Sequence, residues 1–346
     1  MKRLFFAVLF TAFVLIFSAC GNNNTLTLYT WDEMFPQDVL RAFERETGIK
    51  INYVNFDENE TMLARLNASG GRNYDLIIAD DYIIEMVIEA GLAQKLDKSK
   101  MPNFKNINPI YQGQFYDPSN EYTVPYGAGV QTIVYDPKRV NIDITGYADL
   151  WDPSLANNIG IIGNFRVING MALKVLGQSY NTNDLSVIRN AGALLLNLAP
   201  NIRMIRDDRL EDELISGEIS AAVMYTSNVT NAKITAPYLE VVFPKEGIGF
   251  GIMAAFIPKE ASNSEAAHAF LNFIMEAQTG AFCFEYLGYY STYSASDLLI
   301  DPEYREFLTL PEGFNLNMEM IRNINPEAED LHNLVWTEFR RASGAR

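Results

Sequence analysis

Short apolar runs that alternate with amphipathic helical patterns are the feature that most constrains how this chain folds. The runs at 26–29, 51–54 and 75–78 have the length of strands, and helical spacing separates them. Gly48 is predicted to end the first of these helices and Asn59 to cap the second. The run at 75–78 is mainly apolar, which is typical of a strand covered on both faces. Alternation of strand and helix predicts an α/β fold.

A second series of the same kind begins near residue 130. Strands are predicted at 131–135, 158–162 and 221–225, with helices around 171–176 and 191–198. Two such series predict two α/β lobes.

The division between the lobes is predicted to be discontinuous in sequence. Lobe 1 is expected to comprise residues 25–134 with about 250–300, and lobe 2 residues 135–249 with about 301–346. No Pro/Ser-rich linker separates them, so strand-like hinges near 134–136 and 247–249 are expected to join the lobes.

The N-terminus has the pattern of a secretory signal. Lys2 and Arg3 precede an apolar stretch at 4–17, and small residues lead into Cys20. Residues 1–19 are therefore predicted to be a signal peptide and 21–24 a polar tether. A membrane-spanning anchor is the alternative, but the stretch is shorter than the roughly 20 residues that a bilayer needs.

Composition excludes several classes of function. The net charge is −16 and no basic stripe is visible, which argues against nucleic acid as a partner. With two cysteines and two histidines in the chain, a Cys/His metal cluster is not expected. No metal and no cofactor are predicted.

The sequence contains no recognised catalytic motif. A nucleophile elbow, a P-loop, a zinc-binding helix motif and a dinucleotide-binding glycine motif are all absent. Asp80 and Asp81 form the most prominent carboxylate pair, at the carboxyl end of the third strand, where α/β proteins bind ligands. The alternative is that they cap the following helix. We predict that the chain is not an enzyme.

Aromatic residues beside carboxylates suggest a site for an organic cation. Ring faces and anions together stabilise a desolvated ammonium ion, whereas the same rings taken singly are typical of a core or a lobe interface. The residues concerned follow predicted strands or a loop glycine: Trp31, Asp32, Glu33, Asp80, Asp81, Tyr82, Tyr225 and Tyr289.

Several segments resemble the bacterial spermidine/putrescine-binding proteins, the substrate-capturing subunits of polyamine ABC importers. The resemblance covers the chain from Thr25 to about Arg340, with motifs of both lobes in family order. It is carried by the segments 29–33, 41–50, 59–62, 74–77, 96–100, 124–126, 148–151 and 243–247.

The resemblance implies a two-lobed periplasmic-binding-protein-like fold of type II, with hinge strands between lobes that close on a ligand. Carried over by position, Trp31, Asp32, Glu33, Tyr82, Tyr225 and Tyr289 line the cleft. Asp80 adds a carboxylate where the family has a small hydroxyl residue.

The chain departs from the family at several cleft positions. Asn164 and Val167 flank Arg166 where the family has an Asp and a Glu, and Met253 and Gly251 replace an Asp and a Trp. Two outcomes are open. The remaining carboxylates could serve a short diamine. Alternatively, Arg166 could receive an anionic group of a different ligand in the cleft. Asn164 is also expected to line this cleft.

Cys20 resembles the lipidated cysteine of a bacterial lipobox, with Phe17 where Leu is usual. The sequence thus predicts a monomeric lipoprotein, anchored to the membrane in the periplasm or at the cell surface. Its expected partners are putrescine or spermidine and the permease and ATPase of an ABC importer. A different small-molecule cargo is the first alternative. A surface enzyme that uses Asp80 and Glu33, or a sensor or adhesin with a vestigial cleft, are the others.

Overall fold

The computed structural model describes residues 24–206, 209–309 and 318–345. The predicted signal peptide 1–19, Cys20 and residues 21–23 of the tether lie outside the described residues. Within the described ranges, no helix combines the length and the apolar character needed to cross a bilayer.

Strands and helices alternate over residues 25–89, as predicted, whereas further along the chain some helices and some strands follow one another directly. The strands are β1 (Thr25–Thr30), β2 (Lys50–Asn55), β3 (Leu76–Asp80), β4 (Thr123–Tyr135), β5 (Ile159–Ile161), β6 (Ile202–Ile205), β7 (Ala221–Tyr225), β8 (Glu240–Val242), β9 (Ile248–Phe256) and β10 (Met318–Met320). The helices are α1 (Gln37–Thr47), α2 (Asn59–Ser69), α3 (Asp81–Glu89), α4 (Phe165–Val175), α5 (Leu185–Leu198), α6 (Leu210–Ser216), α7 (Thr226–Thr235), α8 (Ser264–Ile274), α9 (Ala277–Leu287), α10 (Pro302–Leu308) and α11 (Pro326–Ser343).

The strands pair in the order β2-β1-β3-β9-β4-β7-β5-β6, with β10 on β9 and β8 on β4. On one side, β1 pairs in parallel with β2 and β3. On the other, β5 pairs in parallel with β6 and β7. Each half is therefore an α/β unit of its own, as the alternation of elements predicts.

The first half of the sheet is covered on both faces. Leu28 and Ile78 lie in one buried cluster, whereas their neighbours Tyr29 and Ile77 lie in another. Successive residues of a strand point to opposite faces, so two apolar clusters require helices on both sides.

Strands β4 and β9 connect the two halves. Residues 123–130 of β4 pair with β9, and residues 131–135 pair with β7 and β8. The change of partner falls at 130–131, a few residues before the expected hinge at 134–136. The assignment of the chain to lobes by residue number stays a prediction.

The two predicted helix ends have different outcomes. Gly48 ends α1 in the left-handed conformation with φ 71°, as predicted. The prediction for Asn59 is wrong, because it is the first residue of α2, after Glu58, and makes no cap. Its side chain instead donates a hydrogen bond to Asp80.

Candidate functional site

The loop that follows β1 is bridged by the phenol of Tyr53. The hydroxyl of Tyr53 donates to the carbonyl of Trp31 at 2.8 Å and accepts from the amide of Met34 at 3.2 Å. Between them Glu33 has φ 54°, a left-handed conformation that turns the chain sharply. Asp32 and Glu33 are exposed at this turn. The loop thus presents two carboxylates beside a fixed aromatic residue.

The aromatic residues of this end of the sheet share one supporting cluster. The ring of Trp31 lies 4.9 Å from that of Phe56. Trp31 and Tyr82 are both half-buried and pack against the same apolar cluster, which contains Phe56. Because β1 and β3 are neighbouring parallel strands, their following residues Trp31 and Tyr82 come to the same edge.

Asp80 stands at the carboxyl end of β3 in a polar corner. Nδ2 of Asn59 donates to its Oδ2 at 2.8 Å, and the same Nδ2 lies 3.4 Å from the Tyr82 hydroxyl. That hydroxyl donates to Glu60 at 3.0 Å. Burial raises the pKa of Asp80 to about 6, and the charge of Glu60 adds to the rise, while the Asn59 hydrogen bond opposes it.

Asp81 points into the fold. Its Oδ1 accepts from the amide of Tyr82 at 2.8 Å and its Oδ2 from the amide of Ile252 in β9 at 3.0 Å. Burial, followed by the charge of Asp80, holds the pKa of Asp81 well above its usual range. The two adjacent carboxylates therefore differ in role, since Asp81 ties α3 to β9 and Asp80 faces the polar corner. Neither caps α3 in the ordinary way, because Asp80 occupies the cap position without a side-chain cap bond.

Tyr225 and Tyr289 approach the middle of β4. Tyr225 ends β7 beside Gln131, and the next residue, Thr226, exchanges hydrogen bonds with the backbone of Val130. The ring of Tyr289 lies so close to Gly129 that a Cβ there would be 2.6 Å from its Cδ1. A larger residue at 129 would therefore require the Tyr289 ring to move.

Residues of β9 lie between Asp80 and Tyr289. Met253 is the pairing partner of Asp80, and its Cε would lie 2.9 Å from a Cβ at Gly127. A Cβ at Gly251 would have no heavy atom within 4 Å. The substitutions at 251 and 253 thus leave open space at one position and an apolar side chain at the other.

Asn164 is the cap of α4. Its Oδ1 accepts from the amides of Arg166 and Val167 at 3.0 and 3.2 Å. Val167 is buried with 3% exposure in the apolar cluster of the second half. The positions of two family carboxylates are therefore taken by a helix cap and a core residue.

Arg166 already has a counter-ion. Its Nη1 lies 3.3 Å from Oε2 of Glu329, and its Nη2 donates to the carbonyls of Tyr180 and Arg322 at 3.3 and 3.2 Å. Burial lowers the pKa of Arg166, while Glu329 and the nearby Tyr82 oppose that shift. Arg166 is therefore paired with Glu329 in this structure, and whether it receives an anionic group of a ligand stays a prediction.

The structure brings the predicted residues together in groups. Trp31, Asp32, Glu33, Asp80 and Tyr82 lie at the carboxyl edge of β1 and β3. Tyr225 and Tyr289 lie beside β4, and Arg166 comes near Tyr82 from the second half. Whether each contacts a ligand stays a prediction.

Sequence reasoning missed the polar partners Asn59, Glu60 and Glu329. Asn59 and Glu60 stand at the start of a helix that follows a strand, a position that could have suggested them. Glu329 gives no local signal, since its contact with Arg166 spans 163 positions of the sequence. In the described residues no group of three or more His, Cys, Asp and Glu side chains is placed to hold a metal ion.

The family model of the bacterial extracellular solute-binding proteins matches residues 72–315. A curated relative from Salmonella typhimurium, the spermidine/putrescine-binding periplasmic protein, is 36% identical over 82% of each chain. The corresponding Escherichia coli protein is 33% identical over 91% of this chain and 87% of its own.

A solved structure of a candidate spermidine/putrescine ABC transporter from Listeria monocytogenes has a TM-score of 0.84 at 30% identity. It covers 92% of this chain and 99% of its own. This similarity confirms the predicted two-lobed periplasmic-binding-protein-like fold with strands joining the lobes. The chain belongs to the bacterial extracellular solute-binding proteins, in the group of the spermidine/putrescine-binding periplasmic proteins.

Proposed function

We propose that this chain is the substrate-binding lipoprotein of an ABC importer and captures a polyamine between its lobes. The observation that carries the proposal is Asp80, a half-buried carboxylate at the carboxyl edge of the sheet beside Tyr82 and near Trp31. The names of the curated relatives at 33 and 36% identity support the ligand class.

The two parts of the site would act differently on an ammonium group. Asp80, Asp32 and Glu33 supply negative charge, and the faces of Trp31 and Tyr82 exclude water while attracting the cation. Asp81 acts through the fold, since both of its oxygens accept backbone hydrogen bonds. Tyr225 and Tyr289 are the proposed aromatic walls for the rest of the ligand.

We expect a diamine such as putrescine to bind more tightly than spermidine. The positions at which the family carries further carboxylates are here Asn164, Val167 and Met253, none of which is charged. A charge-assisted hydrogen bond contributes about 1.5 to 3 kcal/mol, so a third ammonium group without one gains little.

The alternative of an anionic cargo depends on Arg166. Its ion pair with Glu329 at 3.3 Å and its two carbonyl partners use much of its charge and donor capacity. An anion would have to displace Glu329 from a guanidinium that is 7% exposed, which disfavours this alternative.

Calorimetric titration of the soluble chain from Asn22 onward with putrescine, spermidine and spermine tests the ligand class. We expect micromolar or tighter binding of putrescine at low salt. If none of the three polyamines binds, the proposal is contradicted. Titration with dicarboxylates and phosphates then tests the anionic cargo. For the cleft variant Trp31→Ala, Leu298→Ala at a position that is 80% exposed is the surface control and should bind putrescine like wild type.

The lipid anchor is a separate part of the proposal. Cys20 is the proposed acceptor, which would place the protein at the membrane in the periplasm or at the cell surface. Labelling of cells with a palmitate analogue is expected to mark the wild-type chain but not Cys20→Ser. Equal labelling of both would contradict the anchor without affecting the ligand.

A further inference from the structure

We propose that Arg322 is a latch between the two lobes and a positioning residue for ligand retention. This inference rests on the proposed function, because ligand retention presupposes a ligand held between the lobes. The inference stands on contacts that Arg322 makes with both halves of the structure.

The backbone of Arg322 is fixed on the second half. Its amide donates to Oδ1 of Asn181 at 2.7 Å, and its carbonyl accepts from Nη2 of Arg166 at 3.2 Å. Three residues earlier, Glu319 accepts from Nζ of Lys174 in α4 at 2.6 Å. The segment that carries Arg322 is therefore anchored at Arg322 itself and three residues before it.

The side chain of Arg322 reaches the first half. Its Nη2 donates to Oε1 of Glu85 at 2.8 Å, and its guanidinium lies 4.3 Å from the centre of the Phe115 ring. Phe115 packs on Tyr116, which is buried in the same cluster as Tyr29. An ion pair and a cation–π contact thus join the two halves at one residue.

The latch is connected to the proposed site from both ends. Glu85 lies on α3 one turn after Tyr82, and the carbonyl of Arg322 helps to hold Arg166 opposite Glu329. Opening of the lobes would break the Glu85 and Phe115 contacts together. Arg322 therefore favours the closed arrangement without touching the ligand.

The apparent affinity of a ligand scales with the fraction of molecules in the competent state, so loss of the latch weakens binding. The side chain of Arg322 is 49% exposed and that of Glu85 is 16% exposed, and this exposure limits the free energy that the ion pair contributes. With the cation–π contact included, we expect a loss of about three- to tenfold in affinity, mainly as faster dissociation.

A charge swap tests the latch. The proteins compared are wild type, Arg322→Glu, Glu85→Arg and the double variant, with Arg41→Glu as control. Arg41 forms an exposed ion pair with Asp38 inside α1, so its substitution makes the same charge change away from the contact between the lobes.

The first readout is the radius of gyration without ligand, from small-angle X-ray scattering. Each single variant is expected to be more open than wild type, and the double variant is expected to return toward the wild-type value. Equal radii for all variants would overturn the latch. This readout needs no ligand, so it separates failure of the latch from failure of the polyamine proposal.

The second readout is the dissociation rate of putrescine by stopped-flow fluorescence. We expect about three- to tenfold faster dissociation in each single variant, recovery in the double variant and no change in Arg41→Glu. Equal rates in all variants that bind putrescine would also overturn the inference, as would single variants that slow dissociation.

Discussion

The side-chain amide of Asn59 donates to Oδ2 of Asp80 at 2.8 Å and so links the start of α2 to the end of β3. The bond stabilises the ionised form of a carboxylate whose pKa burial raises to about 6. The charge of Asp80 therefore changes within a pH range in which a polyamine stays fully cationic.

Polyamine affinity should fall as the pH drops through 6. Protonation removes the anion that the ammonium needs, and with a pKa of about 6 the loss between pH 7.5 and pH 5 is about tenfold. Calorimetry at several pH values measures it. Asp80→Asn should bind weakly at every pH and lack this step; an unchanged step in that variant would contradict the assignment.

Asn59→Ala should move the same step to higher pH. The hydrogen bond from Asn59 lowers the pKa of Asp80, so its removal makes the carboxylate harder to ionise. Affinity measured at pH 6.5 should therefore fall more than affinity at pH 8. A uniform loss at both pH values would show that Asn59 acts only on the fold.

Trp31→Ala should weaken binding without unfolding the protein. The ring is half-buried against Phe56, and a cation–π contact at a desolvated site contributes about 2 kcal/mol, or roughly thirtyfold in affinity. Titration measures the loss and thermal unfolding checks the fold. Wild-type affinity in a folded Trp31→Ala protein would show that Trp31 does not line the ligand-binding cleft.

Asn164→Asp should favour spermidine relative to putrescine. Aspartate caps a helix as well as asparagine does, so the α4 cap that Asn164 forms should persist while a negative charge is added. We expect the affinity ratio of spermidine to putrescine to rise by about tenfold. An unchanged ratio would show that residue 164 does not face the ligand. Position 167 does not offer this test, because Val167 is buried in the core.

His332 should make the protein less stable in mild acid. Burial, followed by the charge of Arg166, lowers its pKa to about 4, so the unfolded chain binds a proton there between about pH 6.5 and 4 and the folded chain does not. The free energy of unfolding falls over that range, by roughly 3 kcal/mol for a shift of this size. Protonation of Asp80 has the opposite effect on the free energy of unfolding, because the pKa of Asp80 is raised on folding.

Urea unfolding of wild type and His332→Gln at pH 7 and pH 4.5 isolates the histidine contribution. The difference in unfolding free energy between the two proteins should shift in favour of the variant at the lower pH. A difference that does not change with pH would contradict a neutral buried His332.

Local patterns predicted much of the fold. The strand at 221–225 matches β7, and Gly48 ends α1 as its spacing indicates. The first half of β4 was missed because Pro125 and two glycines interrupt its pattern. Pairing with a neighbouring strand, and not the local sequence, keeps this part of the chain extended. Asn59 looked like a cap because its neighbours are helical, whereas a contact 21 positions away decides its role.

The candidate site was predictable only in part, for the same reason. Residues that follow strands, such as Trp31 and Asp80, could be placed at the sheet edge from topology alone. The partners of Arg166 could not, since Glu329 and Arg322 come from the far end of the chain. Burial also separates Asp81 from Asp80, although the two are adjacent in sequence.

The central claim is that a polyamine occupies the cleft against Asp80 and Trp31, and a crystal structure of the protein with putrescine tests it most directly. We expect one ammonium group within about 3 Å of an Asp80 oxygen, with the chain of the ligand against the Trp31 ring. Putrescine bound elsewhere, or a cleft that stays empty at saturating putrescine, would contradict the account.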